Sequence, residues 1–136
     1  MKDLEFVQGW LRYAHNDLIS ARHLCENIYP QQIEIACYHC QQSAEKVLKG
    51  YLYFKDEEPP RTHNLTELAG LCMKHDSSFS NILDICSKIT PYGIIVRYPN
   101  ELAVDEAKTK WLIEKAQEVY DFCIALILPF SGDCEQ

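Results

Sequence analysis

No stretch of this chain reaches the roughly 18 consecutive apolar residues that a membrane-spanning helix requires, so no membrane association is expected. Basic residues are in deficit, with 13 Lys and Arg against 20 Asp and Glu, a formal charge of −7. That balance excludes a protein that coats nucleic acid by bulk charge, while leaving room for a local anion pocket. Also missing are a glycine-rich phosphate loop, an HExxH zinc pair and a nucleophile elbow, and nothing in the pattern calls for a metal or a cofactor. The opening MKDLEFVQGW is acidic and mixed, without the character of a signal peptide, and a cytoplasmic protein is expected. An even cysteine framework is absent too. The cysteines number seven and most sit among apolar residues, which suits reduced thiols in a core better than disulfides.

What is present is an ordinary globular composition, 47% hydrophobic and 24% charged over 136 residues. A chain of this length buries roughly two-thirds of its unfolded surface and needs no staple to fold. One domain over residues 1–129 with a tail at 130–136 is the expectation. Leu4, Val7, Leu11, Ala14, Leu18, Ala21, Cys25 and Ile28 recur at alternate spacings of three and four, the seam of a long helix. Phe6, Trp10, Tyr13 and Ile19 lie off that row and predict a second apolar face. Pro30 suits the first turn of a second helix, whose row is Ile33, Cys37, Cys40, Ala44, Val47, Tyr51 and Phe54. KDEEPPRTH is a loop, and Asn64 with Glu67 resembles a capping box opening a short third helix. Ser77 and Ser78 are the expected caps of a fourth helix, which ends at Pro91. A last helix runs from about Val104 to Leu128. With no alternating strand pattern and no internal repeat, the fold class is all-α: an up-and-down, four-helix-type bundle of about five helices, the short ones forming one leg or a connecting element.

Chemistry-bearing residues concentrate in the middle of the chain. Residues 101–136 carry 3 basic and 8 acidic side chains, whereas residues 31–100 carry 7 and 8, so an anion would dock in the middle. Lys46 and Lys49 are i, i+3 neighbours on one helix face with Glu45 beside them. His63 stands just before a helix N-terminus, where exposed N–H groups and the dipole favour an anion. Arg97, Tyr98 and Pro99, with Tyr92 upstream, put a guanidinium and two rings on a constrained segment suited to phosphate pairing and base stacking. A zinc site can be written from Cys37, Cys40, Cys72 and His75, but all three cysteines fall on apolar rows and the spacing is not that of a common zinc module. Asp17 and His15 have no partner at a spacing that sequence alone defends.

Taken together, WLRYAHNDLISARHL, ACYHCQQSAEKVLKGYL, PPRTHNLTEL and PYGIIVRYP before a last amphipathic helix resemble the HEPN domain, the higher eukaryotes and prokaryotes nucleotide-binding domain, over about residues 4–128. The resemblance implies a five-helix bundle, usually a homodimer, often encoded beside a small nucleotidyltransferase and named for a nucleotide-binding role. It carries over Glu45, Lys46, Lys49, His63, Tyr92, Arg97, Tyr98 and Pro99 as residues converging at one end of the bundle. Many members are ribonucleases with an Arg followed four to six residues later by His; here Glu101, Leu102 and Ala103 occupy those positions after Arg97. No other arginine repairs the motif. The expected function is therefore nucleotide or phosphate binding without catalysis, at Lys46, Lys49, His63, Tyr92, Arg97 and Tyr98, with RNA a lesser candidate. The alternatives are a metal-independent RNase in which His63 stands in for the missing histidine, and a pure interaction module.

Overall fold

A computed structural model describes residues 3–94 and 104–128. Five α-helices build it: α1 (Leu4–Glu26), α2 (Ile33–Phe54), α3 (Leu65–Met73), α4 (Leu83–Ile89) and α5 (Glu106–Ile127), with 3-10 turns at Ser77–Ile82 and Thr90–Gly93. No strand occurs among the described residues, as the periodicity predicts.

Both α1 and α5 begin on an aspartate whose carboxylate accepts a first-turn N–H: Asp3 from Phe6 at 2.8 Å and Asp105 from Lys108 at 2.7 Å. The predicted row of α1 from Val7 to Cys25 is buried. It packs antiparallel on α2, approaching closely where a Cβ on Gly50 would lie 3.2 Å from both Leu11 and Trp10. Helix α5 runs back along α1, with Arg22 donating to Gln117 at 2.9 Å and the His15 ring 5.7 Å from that of Tyr120. At its start Thr109 meets Cys37 of α2 at 3.5 Å. The short helices supply the fourth leg, as expected. Phe79 is wedged between Tyr51 and Phe122 at centroid distances of 4.7 and 5.0 Å. Burial of each such ring contributes on the order of 1.5–3 kcal/mol.

Two local expectations are corrected. Pro30 does not open α2; the Tyr29–Pro30 bond is cis and the helix begins at Ile33. The turn at Ser77 is capped by Asp76, which accepts from Ser78 N–H at 3.0 Å, rather than by either serine. The fourth helix does end just before Pro91, at Ile89, and Pro91 sits in the first turn of the Thr90–Gly93 segment, where its missing N–H costs nothing. The capping box of α3 is half made. Asn64 accepts from Glu67 N–H at 3.1 Å, but Thr62 intervenes on the return side: its hydroxyl donates to Glu67 at 2.9 Å and accepts from Asn64 N–H at 3.1 Å.

Candidate functional site

Helix α2 lies at the centre of the bundle, so from Tyr38 to Phe54 none of its residues is fully exposed. Its least covered stripe, through His39, Gln42, Lys46 and Lys49, runs between α1 and the segment entering α3. A buried polar side chain is tolerated only with partners, and two carboxylates at the stripe's margins provide them.

Asp17, buried on α1, accepts from Lys46 Nζ at 2.7 Å and from His39 Nδ1 at 2.8 Å. Glu45, equally buried on α2, accepts from Lys49 Nζ at 2.9 Å, His63 Nδ1 at 3.0 Å and Gln41 Nε2 at 3.2 Å. Burial by itself would raise both carboxyl pKa values. The hydrogen bonds and charges of His39 and Lys46 at Asp17, and of Lys49, His63 and Gln41 at Glu45, outweigh it and hold both below the usual range. Each carboxylate is thus an ionised acceptor, so each histidine donates through Nδ1 and its Nε2 is turned away from the carboxylate.

Gln41, fully buried, ties the second group to the chain around it. Its Nε2 also donates to the His63 carbonyl at 2.9 Å, and its Oε1 accepts from Gln42 Nε2 at 2.8 Å. Gly93 lies directly on this amide, so that a Cβ there would be 2.8 Å from Gln41 Cδ. Gly93 therefore rests beside the Glu45 group.

The structure brings together Lys49 and His63, on one carboxylate, and sets Lys46 next along the same stripe on another. The two lysines are not a bare cationic pair: each is neutralised by its own buried carboxylate. Tyr92 corrects an expectation. Its side chain is in the core, where burial pushes its phenol pKa up, and it presents no ring for stacking. Arg97, Tyr98 and Pro99 lie outside the described residues. Asp17, His39 and Gln41 were not singled out as site residues. Asp17 had a signal, an acid beside the Ala14, Leu18 and Ala21 row of an otherwise apolar seam.

The cysteines behave as core thiols. Cys25, Cys37, Cys40, Cys72, Cys86 and Cys123 are all buried and free, and burial raises the pKa of each, to about 12 at Cys86. Cys72 Sγ turns to the Leu48 carbonyl at 3.8 Å, while His75 pairs with Glu57 at 2.7 Å. Among the described residues no three His, Cys, Asp or Glu side chains are grouped to hold a metal.

With this geometry in place, comparison with known proteins is informative. The family model of the HEPN domain matches residues 7–126, nearly the whole helical body. The chain belongs to the HEPN family. Two solved structures share the architecture. One, a crystal structure of a Thermus thermophilus protein, superposes with a TM-score of 0.76 at 19% identity, covering 88% of this chain and 96% of that one. The other, of an archaeal HEPN homologue, gives 0.70 at 26% identity over 93% and 99%. No curated protein matches. In this HEPN domain the polar stripe of α2 is the feature that the fold alone does not explain. A bundle core needs no ionised carboxylates, and α2 buries one and receives a second from α1.

Proposed function

We propose that this HEPN domain binds a nucleotide or another phosphate-bearing ligand beside the C-terminal half of α2, and that it works in the cytoplasm as a homodimer with a small nucleotidyltransferase, without catalysis of its own. The observation that carries the ligand reading is the Glu45 group. One buried carboxylate fixes Lys49 and His63 together while the His63 side chain stays 77% exposed, with Nε2 turned away from the carboxylate. Preorganised donors of this kind bind an oxyanion without first being ordered. Further support comes from proximity in sequence, since only three residues lie between Arg97 and Gly93, which rests on Gln41 of the same group. Lys49 and Arg97 then meet phosphate, Lys46 offers a further N–H donor along the stripe, His63 orients the ligand and Tyr98 supplies the ring for a base.

The test is a thermal-shift titration with ATP, GTP and a short RNA, run beside Arg97→Ala and His63→Ala. A ligand at 100 times its dissociation constant adds about 2.7 kcal/mol, a rise of several degrees for a domain of this size. Both variants should lose it. No shift with any of the three ligands overturns the reading. Light scattering of a mixture with the neighbouring nucleotidyltransferase tests the partner.

A second reading is favoured by the same carboxylate-held histidine, an arrangement that also suits proton transfer. In it the protein is a metal-independent RNase with His63 in place of the missing motif histidine. Cleavage of total RNA that His63→Ala abolishes would establish it, and an intact RNA profile at high protein concentration removes it.

A further inference from the structure

Helix α1 carries a glycine where nothing among the described residues asks for one. Gly9 lies in the second turn of a 23-residue helix, and a Cβ on it meets no atom of the described residues within 4 Å. Glycine weakens a helix interior relative to alanine, so its presence is a local cost with no internal return. The missing side chain forms the floor of a surface groove of about 520 Å³, with Phe6, Trp10 and Tyr13 on one side, Glu5 and Arg12 on the other, and Lys46 at the α2 edge. Trp10 stacks on Tyr53, and Phe6 meets the same ring edge-on at 4.9 Å. Phe6 and Tyr13 nevertheless stay 40% and 55% exposed, a large apolar outlay on an outer face.

The pattern around Gly9 is self-complementary. Glu5 and Arg12 are seven residues apart and so share one flank of the helix; Phe6 and Tyr13, also seven apart, share the other. We infer that this face of α1 is where two copies of the chain meet, antiparallel, about a two-fold axis passing beside Gly9. Such an axis sends each residue before Gly9 to the height of its counterpart after it and keeps each flank facing the same flank of the other copy. Glu5, four residues before, then faces the partner's Arg12, three residues after. At 1.5 Å of rise per residue the two differ in height by about 1.5 Å. Phe6 meets the partner's Tyr13 by the same rule. Every contact occurs twice. A parallel pair, whose two-fold axis swaps the flanks, would instead set Glu5 and Arg12 against the partner's Phe6 and Tyr13 and leave both charges unpaired. Gly9 at the crossing lets the two backbones approach more closely than any other residue would. Among the described residues neither Glu5 nor Arg12 has an opposite charge of its own: the Arg12 guanidinium lies over the Tyr13 ring, 5.5 Å from its centroid, whereas Lys46 is already held by Asp17. A second copy would supply the ionic partner that each of the two charges lacks.

This inference rests on the homodimer part of the proposed function and uses no residue of the ligand site except Lys46 at its edge. Sedimentation velocity over a wide concentration range tests it on the full chain. The wild type should dimerise. Arg12→Glu and Glu5→Arg, which set like charges face to face, should each weaken the dimer about tenfold or more. The double variant E5R/R12E should restore it, because the pairing is merely reversed. Gly9→Leu should also weaken the dimer by filling the crossing, and Gly9→Ala, which any helix accepts, gives a milder version of the same effect with the fold secured. A wild type monomeric throughout overturns the inference. So does a dimer indifferent to Arg12→Glu and Gly9→Leu, or a double variant that stays dissociated. Thermal-shift titration of Arg12→Glu with ATP separates the two readings: a monomer that keeps its ligand shift leaves the ligand site standing, and a dimer without any shift leaves the interface standing.

Discussion

Asp17 and Glu45 are costly residues for an interior, and their contribution depends on the partners they hold. Each has a folded-state pKa below its unfolded value, near 3.8 for an aspartate and 4.5 for a glutamate. Above those values both are ionised in either state and their contribution to stability is complete. As pH falls through and below them the unfolded chain takes up protons first, and the contribution is lost by the time the folded-state pKa is passed. Urea midpoints measured from neutral pH down to pH 3 should therefore fall steeply, and Asp17→Asn with Glu45→Gln should flatten that limb. The residual slope belongs to the half-buried Asp76 and the exposed Glu106, whose carboxyls are also held low by hydrogen bonds. At neutral pH Asp17→Ala strands Lys46 and His39 and should cost about 1–3 kcal/mol. Gly93 makes the complementary prediction. Its Cβ site is occupied by the Gln41 amide, which three hydrogen bonds hold in place. Gly93→Ala should lower stability by about 1–3 kcal/mol through overpacking and loosen His63, seen as a shift of its ring proton resonances.

The helices themselves were the most legible feature, because a spacing of three and four sustained over twenty residues admits only one period. The rows are buried as predicted from Val7 to Cys25 in α1 and from Cys37 to Tyr51 in α2, while their end members Leu4, Ile28, Ile33 and Phe54 are half-buried. Ends were harder to read. Pro30 and Ser77 each fit a standard start, yet the geometry of the turn settled the matter through Ile33 and Asp76 instead. Where the signal was a side chain accepting a backbone N–H it was accurate, as at Asn64. Removing that cap by Asn64→Ala should cost about 1 kcal/mol, measurable as a lower urea midpoint without a change in slope. The candidate site was legible only along one helix. Glu45, Lys46 and Lys49 are near neighbours in sequence, and His63 follows by a loop. Asp17 joins Lys46 from 29 residues away and His39 from 22, a distance across which residue spacing carries no information until the hairpin of α1 and α2 is closed.

At the scale of the whole molecule, three long helices and a composite fourth leg enclose one core, and its thiols are distributed with unusual evenness. Cys25 belongs to α1, Cys37 and Cys40 to α2, Cys72 to α3, Cys86 to α4 and Cys123 to α5, and every one is buried, reduced and held in the unreactive neutral form. An alkylating reagent can reach such a sulfur only when the segment around it opens. Mass spectrometry of peptides after timed labelling in native buffer should thus return an opening free energy for each helix separately. The thiols of α3 and α4, on the shortest elements, should react ahead of Cys40 and Cys123. Equal rates at all six positions would mean instead that the bundle opens as a single cooperative unit. The protein carries, in the sulfurs that hold its interior together, a built-in record of the order in which that interior comes apart.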